Sequence, residues 1–326
     1  MRRLALVFTV LAVGVFAGCG GGDDGGDNAT KDDVNLTQKR DITIAMVTHG
    51  DGGSFWSVAK KGAEQAAKDM GVTLKYSESN NDAEEQAQLI EAAVSEGVDG
   101  LAVSAPDPDA IRDAVKTAVD AKIPVITLNS GAEESQSLGA ITHVGQTETI
   151  AGQGAGTKLK EAGVTKLICV IHEQSNVGLN QRCEGAKKGF GGAVENVQVT
   201  GTSDPSTTLT ELQSKLEGDT SIDGVLTLNP DIAMAARDAI AGAGSKAKLA
   251  TFDLSGDVIK AIKDDEILFA VDQQQYLQGY LPVVFLTLNK TNLNTVGGGQ
   301  FVLTGPGFVE KSNAAEIEKL AEAGTR

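Results

Sequence analysis

Short apolar runs alternate with segments of helical pattern along the chain from Ile42 onward. The runs at 42–47, 166–171 and 224–228 are apolar almost throughout, which indicates strands buried on both faces of a sheet. Segments between such runs, for example 83–96 and 109–121, have the apolar spacing of amphipathic helices. This order predicts an α/β fold in which helices cover both faces of parallel sheets.

The chain also repeats itself. The segment from His49 to Ala66 aligns without gaps with the segment from His172 to Gly189, so that the two histidines coincide and both segments follow an apolar strand. Further along, 98–101 aligns with 222–225, and 128–131 aligns with 253–256. Because the repeat keeps its register over three aligned segments, it predicts two similar doubly wound lobes in tandem, each with loops at its strand ends.

The length and charge of the chain limit its function. Its 326 residues suffice for two domains, and its formal net charge of −16 argues against nucleic acid and anionic membrane surfaces as partners. Gly50-Asp51-Gly52 follows a strand but lacks the third glycine of a dinucleotide fingerprint, since Phe55 stands there. Three histidines without metal-ligand spacing favour neither a metal nor a cofactor. We therefore expect no enzyme, although Asp253 with Asp231 or Asp51 leaves a glycoside hydrolase as an alternative.

The N-terminus has the pattern of an export signal. Arg2 and Arg3 precede an apolar run to Phe16, and small residues lead to Cys19. The end of this segment resembles a bacterial lipobox, which implies a signal peptide over 1–18 and a lipid on Cys19. The alternative is an ordinary secretion signal with a free cysteine. The Gly- and Asp-rich stretch at 19–40 is expected to be a flexible tether, so the body would be extracytoplasmic, in the periplasm or at the cell surface.

Two further cysteines fall on neighbouring predicted elements. Cys169 lies in a strand and Cys183 in the helix that follows it. In an oxidising compartment such a pair is often bonded, so we expect a disulfide, with two buried thiols as the alternative.

Polar and aromatic side chains gather in the loops at the predicted strand ends, where open α/β sheets bind ligands. Their types suit a sugar, because amide, carboxylate and guanidinium groups form forked hydrogen bonds with hydroxyls and aromatic rings cover a C–H face. The candidate ligand-binding residues are His49, Phe55, Trp56, Ser104, Asn129, Asn180, Arg182, Asp204, Asn229, Asp253 and Gln273. Some have structural alternatives: Asn229 and Asp253 could cap helices, and Arg182 could pair with Glu184.

The order of these pieces resembles the type I periplasmic sugar-binding proteins of ABC transporters, the ribose-binding type. The segments that carry the resemblance are Ser54-Phe55-Trp56, Ala105-Pro106-Asp107, 124–129, Asn229-Pro230-Asp231 and Phe252-Asp253. The resemblance implies two lobes joined by a three-strand hinge, with crossings near 142, 272–273 and 301–304. It places 41–142 plus 274–301 in the N-terminal lobe and 143–273 plus 302–326 in the C-terminal lobe.

The resemblance also assigns roles to residues. Phe55 and Trp56 match the stacking aromatics of the family, whereas Asn229, Asp253 and Gln273 match its sugar hydrogen-bonders. Other positions differ: Asn129 and Ser130 stand where the ribose type has Asp and Arg, Ser104 where it has Asn, Asn180 where it has Arg and His49 where it has Ser. These differences imply a related sugar or polyol rather than ribose.

The function expected from the sequence is that of a monomeric, lipid-anchored substrate-binding protein. It would close around a small neutral sugar or polyol and deliver it to an ABC permease, without a cofactor and without binding nucleic acid. The alternatives are a sugar sensor for a chemoreceptor or kinase and an extracytoplasmic enzyme that acts on sugars.

Overall fold

The computed structural model describes residues 39–326, and its first half builds one sheet with its helices. The elements in chain order are β1 (Thr43–Thr48), α1 (Ser54–Met70), β2 (Thr73–Glu78), α2 (Ala83–Ser95), β3 (Gly100–Ser104), α3 (Pro108–Asp120), β4 (Val125–Asn129) and β5 (Thr142–Gly145). The signal peptide expected at 1–18, the lipidation of Cys19 and almost all of the tether lie outside the described residues. Within 39–326, no helix combines the length and the apolar character needed to cross a membrane.

The second sheet is built next, before the chain returns to the first. Its elements are α4 (Glu148–Glu161), β6 (Lys166–Ile171), α5 (Val177–Phe190), β7 (Ala193–Gln198), α6 (Pro205–Gly218), β8 (Gly224–Thr227), α7 (Pro230–Gly242), β9 (Lys248–Phe252), α8 (Gly256–Lys263) and β10 (Phe269–Asp272). The remaining elements are α9 (Gln275–Asn292), β11 (Val302–Leu303), β12 (Gly307–Glu310) and α10 (Ala314–Glu322).

The two sheets have the same plan, which confirms the predicted pair of lobes. The first has the strand order β11-β5-β4-β3-β1-β2 and the second β12-β10-β9-β8-β6-β7. All pairs are parallel except β10 with β12. An apolar cluster lies on each face of each sheet, as the uninterrupted apolar runs of the inner strands require.

The chain passes between the sheets three times, at 145–148, 272–275 and 303–307. These passages form the three-strand hinge. Thr142 is the first residue of β5, which pairs with β4, so the first crossing follows Gly145 rather than Thr142. Sheet membership therefore assigns 142–145 and Val302–Leu303 to the first lobe, slightly beyond the limits of 142 and 301 expected from the sequence.

One predicted strand is displaced. The sequence favours a strand at 197–201, whereas β7 occupies Ala193–Gln198 and pairs with β6 from Lys166 to Ile171. β7 is an edge strand whose residues are mostly exposed, so it lacks the continuous apolar run that locates the inner strands.

The predicted disulfide is present. Cys169 on β6 and Cys183 on α5 are bonded, with Cα atoms 5.8 Å apart. Both are buried in the cluster that contains Phe190 and Phe252, so the bond ties the helix of the second aligned segment to the centre of its sheet.

Candidate ligand-binding site between the lobes

A small chamber with a cavity volume of about 30 Å³ lies where the carboxyl ends of strands from the two sheets face each other. The lining residues are His49, Phe55, Trp56, Asn129, Ser130, His172, Glu173, Asn176, Leu179, Arg182, Leu228, Asn229, Asp253 and Gln273. The chamber is therefore polar, with aromatic and aliphatic surfaces on part of its wall.

The aromatic wall comes from the first turn of α1. Phe55 and Trp56 are each 5 % exposed, and their rings meet edge to face at 5.0 Å. Both also belong to the apolar cluster beneath the first sheet, although adjacent helical residues were not expected to share one core. Both reach it because the first turn of α1 lies over the end of the sheet, between the core and the chamber.

His49 is held by a residue behind the chamber. Ser104 is fully buried, and its Oγ accepts from the His49 backbone N–H at 2.9 Å and lies 2.7 Å from Nδ1. Because this oxygen already accepts from the backbone, its own hydrogen is available to Nδ1, which favours the tautomer with the hydrogen on Nε2. Burial lowers the pKa of His49, so the imidazole is neutral at pH 7. Ser104, expected at the ligand, supports His49 instead.

Arg182 provides the positive charge of the site. Its Nε and Nη2 donate to Glu148 at 2.6 and 3.0 Å, and its guanidinium lies 4.6 Å from the Phe252 ring centre. Asp253 is farther away, at 3.8 Å from Nη1. The main partner is thus Glu148 rather than Asp253 or Glu184, and the fork fixes the orientation of the guanidinium.

Asn129 and Asp253 occupy equivalent places at the ends of β4 and β9, and both have positive φ (61° and 70°). Gln273 joins them from the hinge: its Nε2 donates to Asp253 Oδ1 at 2.7 Å, and its Oε1 lies 3.5 Å from Asn129 Nδ2. Burial raises the pKa of Asp253 to about 7, against the opposing effects of Arg182 and Gln273. Ser255, not Asp253, caps α8.

Asn229 caps a helix and also lines the chamber. Its Oδ1 accepts from the backbone N–H groups of Asp231 and Ile232 at 2.7 and 3.2 Å and so caps α7. The same side chain lines the chamber.

Several contacts join the lobes around the chamber. Ser130 Oγ donates to Asn176 Oδ1 at 3.0 Å, and Val177 N donates to Pro106 O at 2.9 Å. On the other side, Ser54 Oγ donates to both carboxylate oxygens of Asp231 at 3.0 and 3.1 Å. Each of these contacts links the start of a helix in one lobe to the other lobe, so the cleft is closed.

Besides Ser104, two other predicted residues lie outside the chamber, Asn180 and Asp204. The Asn180 amide turns back and donates to the backbone oxygens of Gln174 and Asn176 at 3.2 and 2.9 Å. Asp204 is half-buried and caps α6, where hydrogen bonds from Thr207 and Ser206 lower its pKa to about 2. The Asn180 amide thus serves local backbone acceptors, and the Asp204 carboxylate serves local backbone and hydroxyl donors.

Sequence reasoning missed part of the lining. The residues not among the candidates are Ser130, His172, Glu173, Asn176, Leu179 and Leu228. The repeat contained a signal for one of them, because His172 is the counterpart of His49. The sequence leaves open whether Asn176 serves a turn or reaches the cleft, and the structure shows that it caps α5 and accepts from Ser130 at the same time.

Comparison with known proteins places this geometry in a family. Residues 44–288 match the model of the periplasmic binding protein domain. The chain belongs to the periplasmic binding protein family. As a periplasmic binding protein it acts outside the cytoplasm, and the relatives described below are binding or transport proteins rather than enzymes.

This periplasmic binding protein resembles proteins with several different ligands. It is 28 % identical to the ribose import binding protein RbsB of Bacillus subtilis (strain 168), over 76 % of this chain and 81 % of that protein. It is 44 % identical, with a TM-score of 0.85, to a carbohydrate transporter from Acidothermus cellulolyticus 11B solved in complex with myo-inositol, over 87 % of this chain and 99 % of that one. A solute-binding protein from Burkholderia graminis C4D1M in complex with D-arabinose is 25 % identical, with a TM-score of 0.76, over 85 % and 97 %.

Proposed function

We propose that this protein captures a small sugar or polyol in the chamber between its lobes and delivers it to an ABC permease, with myo-inositol as the first candidate. The observation that carries the proposal is the composition of the chamber wall. Two aromatic rings stand on one part of it, and amide, carboxyl and guanidinium groups stand at the strand ends of both lobes.

Each group has a role that follows from its chemistry. The faces of Phe55 and Trp56 suit the apolar C–H surface of a polyhydroxylated ring. Asn129, Asp253 and Arg182 provide donors and acceptors for hydroxyls, since each is oriented by a fixed neighbour. Contact of a ligand with both lobes would favour the closed arrangement over an open one, and the permease would recognise that closed form.

The choice of myo-inositol rests on two supports. The relative from Acidothermus cellulolyticus 11B, at 44 % identity, holds this cyclitol. In addition, Asn129 and Ser130 stand where the ribose type has Asp and Arg, so the chamber differs from a ribose site next to the ligand position. Both differences put a neutral side chain, which can hydrogen-bond to a hydroxyl, in the place of a charged one.

The same proposal includes the state and location of the chain. The Cys19 motif supports lipid anchoring at the outer face of the cell membrane, with 19–40 as the tether. The net charge of −16 supports the absence of nucleic acid from its partners. We propose that the protein acts as a monomer, because one chain supplies both walls of the chamber.

A thermal-shift panel tests the proposal. The purified chain is melted with myo-inositol, scyllo-inositol, D-ribose, D-arabinose, D-allose and D-glucose at equal concentrations. A ligand that binds the folded but not the unfolded state raises the melting temperature, and at equal concentrations the ligand with the lowest Kd raises it most. Myo-inositol should therefore give the largest shift. If a pentose gives the largest shift, the choice of a cyclitol is wrong. If none of the six gives a shift, the proposed function is wrong.

A further inference from the structure

We propose that the chamber binds an aminated polyol, an aminocyclitol or amino sugar, more tightly than its neutral counterpart, with Glu173 as the group that binds the ammonium. This inference rests on the proposed function, since it assigns a charge to the ligand of the same chamber. The support comes from the charges in the chamber wall, from the surroundings of Glu173 and from a ring nitrogen of His172 that has no hydrogen-bond partner in the described residues.

The walls of the chamber contain more negative than positive charge. Glu173 and Asp253 line it, Glu148 lies behind it, and Arg182 is the one Arg or Lys among the described lining residues. Arg182 forms its short bonds with Glu148 and lies 3.8 Å from Asp253. A cationic ligand would relieve this imbalance, whereas an anionic one would increase it.

Glu173 is the carboxylate that the guanidinium does not reach. Its Oε2 accepts from Asn176 Nδ2 at 2.6 Å, and its two oxygens lie 3.7 Å from Nε2 of His49 and of His172. Burial lowers the pKa of both imidazoles, that of His172 to about 4, so neither compensates the charge at pH 7. Among residues 39–326, Glu173 therefore has no permanently charged cation as a salt-bridge partner.

His172 offers a second acceptor beside this carboxylate. Its side chain is 4 % exposed, and its Nδ1 has no hydrogen-bond partner within the described part of the chain. With the hydrogen on Nε2, which faces Glu173, Nδ1 is a lone-pair acceptor. An ammonium has three donors and no acceptor, so it suits the Glu173 carboxylate better than a hydroxyl does, and Nδ1 of His172 is one further acceptor in the same wall.

The approach to the chamber has the same sign of charge. A wider groove shares His172 and Glu173 with the chamber and is also lined by Asp51 and Asp231. Carboxylates along an entrance raise the local concentration of cations. The entrance and the chamber thus both favour an amine.

The test uses a pair of ligands that differ by one group, scyllo-inositol and its amine scyllo-inosamine, titrated calorimetrically at pH 7 into the full-length chain. A charge-assisted hydrogen bond in a buried site predicts that the amine binds at least about tenfold more tightly. In Glu173→Gln, which keeps the shape and removes the charge, the ratio of the two affinities should fall towards one. Glu91→Gln makes the same change on the exposed face of α2 and should keep the wild-type ratio.

The outcomes separate this inference from the proposed function. If neutral cyclitols bind and scyllo-inosamine binds equally or more weakly, the inference is wrong and the proposed function stands. An amine preference that persists in folded Glu173→Gln, verified by its melting curve, would also overturn it. If the amine binds and scyllo-inositol does not, the inference holds. If neither ligand binds, the inference is wrong, and the six-ligand thermal-shift panel decides the proposed function separately.

Discussion

Asp253 lies buried at the end of β9, and its surroundings determine what it can offer a ligand. Burial raises its pKa to about 7, while Arg182 and Gln273 favour the charged form. Near neutral pH the carboxyl is thus in part protonated, so it can donate to one hydroxyl and accept from another. Removal of this group leaves Nε2 of Gln273 without its acceptor in a closed chamber and takes away the carboxylate nearest to Nη1 of Arg182, which is costly.

Asp253→Ala should therefore weaken binding of myo-inositol by at least about tenfold, because charged and buried hydrogen-bond groups dominate such sites. The matched control is Asp204→Ala, the other aspartate that the sequence indicates. It caps α6 outside the chamber, so it should lower the melting temperature and leave the Kd unchanged. Calorimetric titration of both variants checks this. Undiminished affinity in Asp253→Ala would remove Asp253 from the site.

Residue type and position after a strand predict the chamber in part. Asp253, Asn129 and Asn229 follow buried strands and line the chamber, as expected. Asn176 and Asn180 show the limit of such reasoning, since they lie one helical turn apart in the same loop and helix. Asn176 caps α5 and faces the other lobe, whereas Asn180 bonds back to the backbone. That difference depends on the second lobe being in place, which sequence alone does not contain.

At the scale of elements, glycines set the distance between paired helices. Gly62 on α1 faces α9, where a Cβ would lie 2.1 Å from Tyr276 O. Gly185 on α5 faces α4, where a Cβ would lie 2.2 Å from Thr149 O. Gly62 and Gly185 occupy aligned positions of the repeat, and each is required for the same reason. The backbones of the paired helices approach so closely there that no side chain fits.

Gly185→Ala should destabilise the protein by about 1–3 kcal/mol, the usual cost of overpacking a close contact. Gly218→Ala, at the end of α6, is the control because nothing lies within 4 Å of its Cβ position. There the same substitution should be neutral or slightly stabilising. Urea unfolding of both variants measures the difference. Equal stabilities would mean that α4 and α5 separate at little cost.

The inner strands are predictable from sequence because burial on both faces requires an unbroken apolar run, as in Lys166–Ile171 and Gly100–Ser104. The strands at the sheet edges and the elements near the hinge are not predictable in this way. β7 is exposed and was placed too late in the chain, and β12 with α10 was not predicted at all. These elements depend on pairing with strands that are distant in sequence, such as β10 with β12.

At the scale of the whole molecule, both lobes supply polar and apolar groups to the chamber. The first lobe supplies the aromatic rings of Phe55 and Trp56. The first also contributes Asn129 and Ser130, and the second contributes Leu179 and Leu228. The helix starts that link the lobes, through Ser130 with Asn176 and Ser54 with Asp231, come from both halves of the repeat. Closure is thus a property of the paired lobes rather than of either one.

Trp56 makes the central claim directly measurable, because it is the only tryptophan of the chain and lines the chamber. Titration of myo-inositol against its intrinsic fluorescence therefore reports on the chamber alone. We expect a saturable change in the intensity or the emission maximum of Trp56. The Kd from this titration should agree with the calorimetric Kd, and it should be higher in Asp253→Ala. Binding detected by calorimetry without any change in Trp56 emission would contradict a ligand site between the lobes.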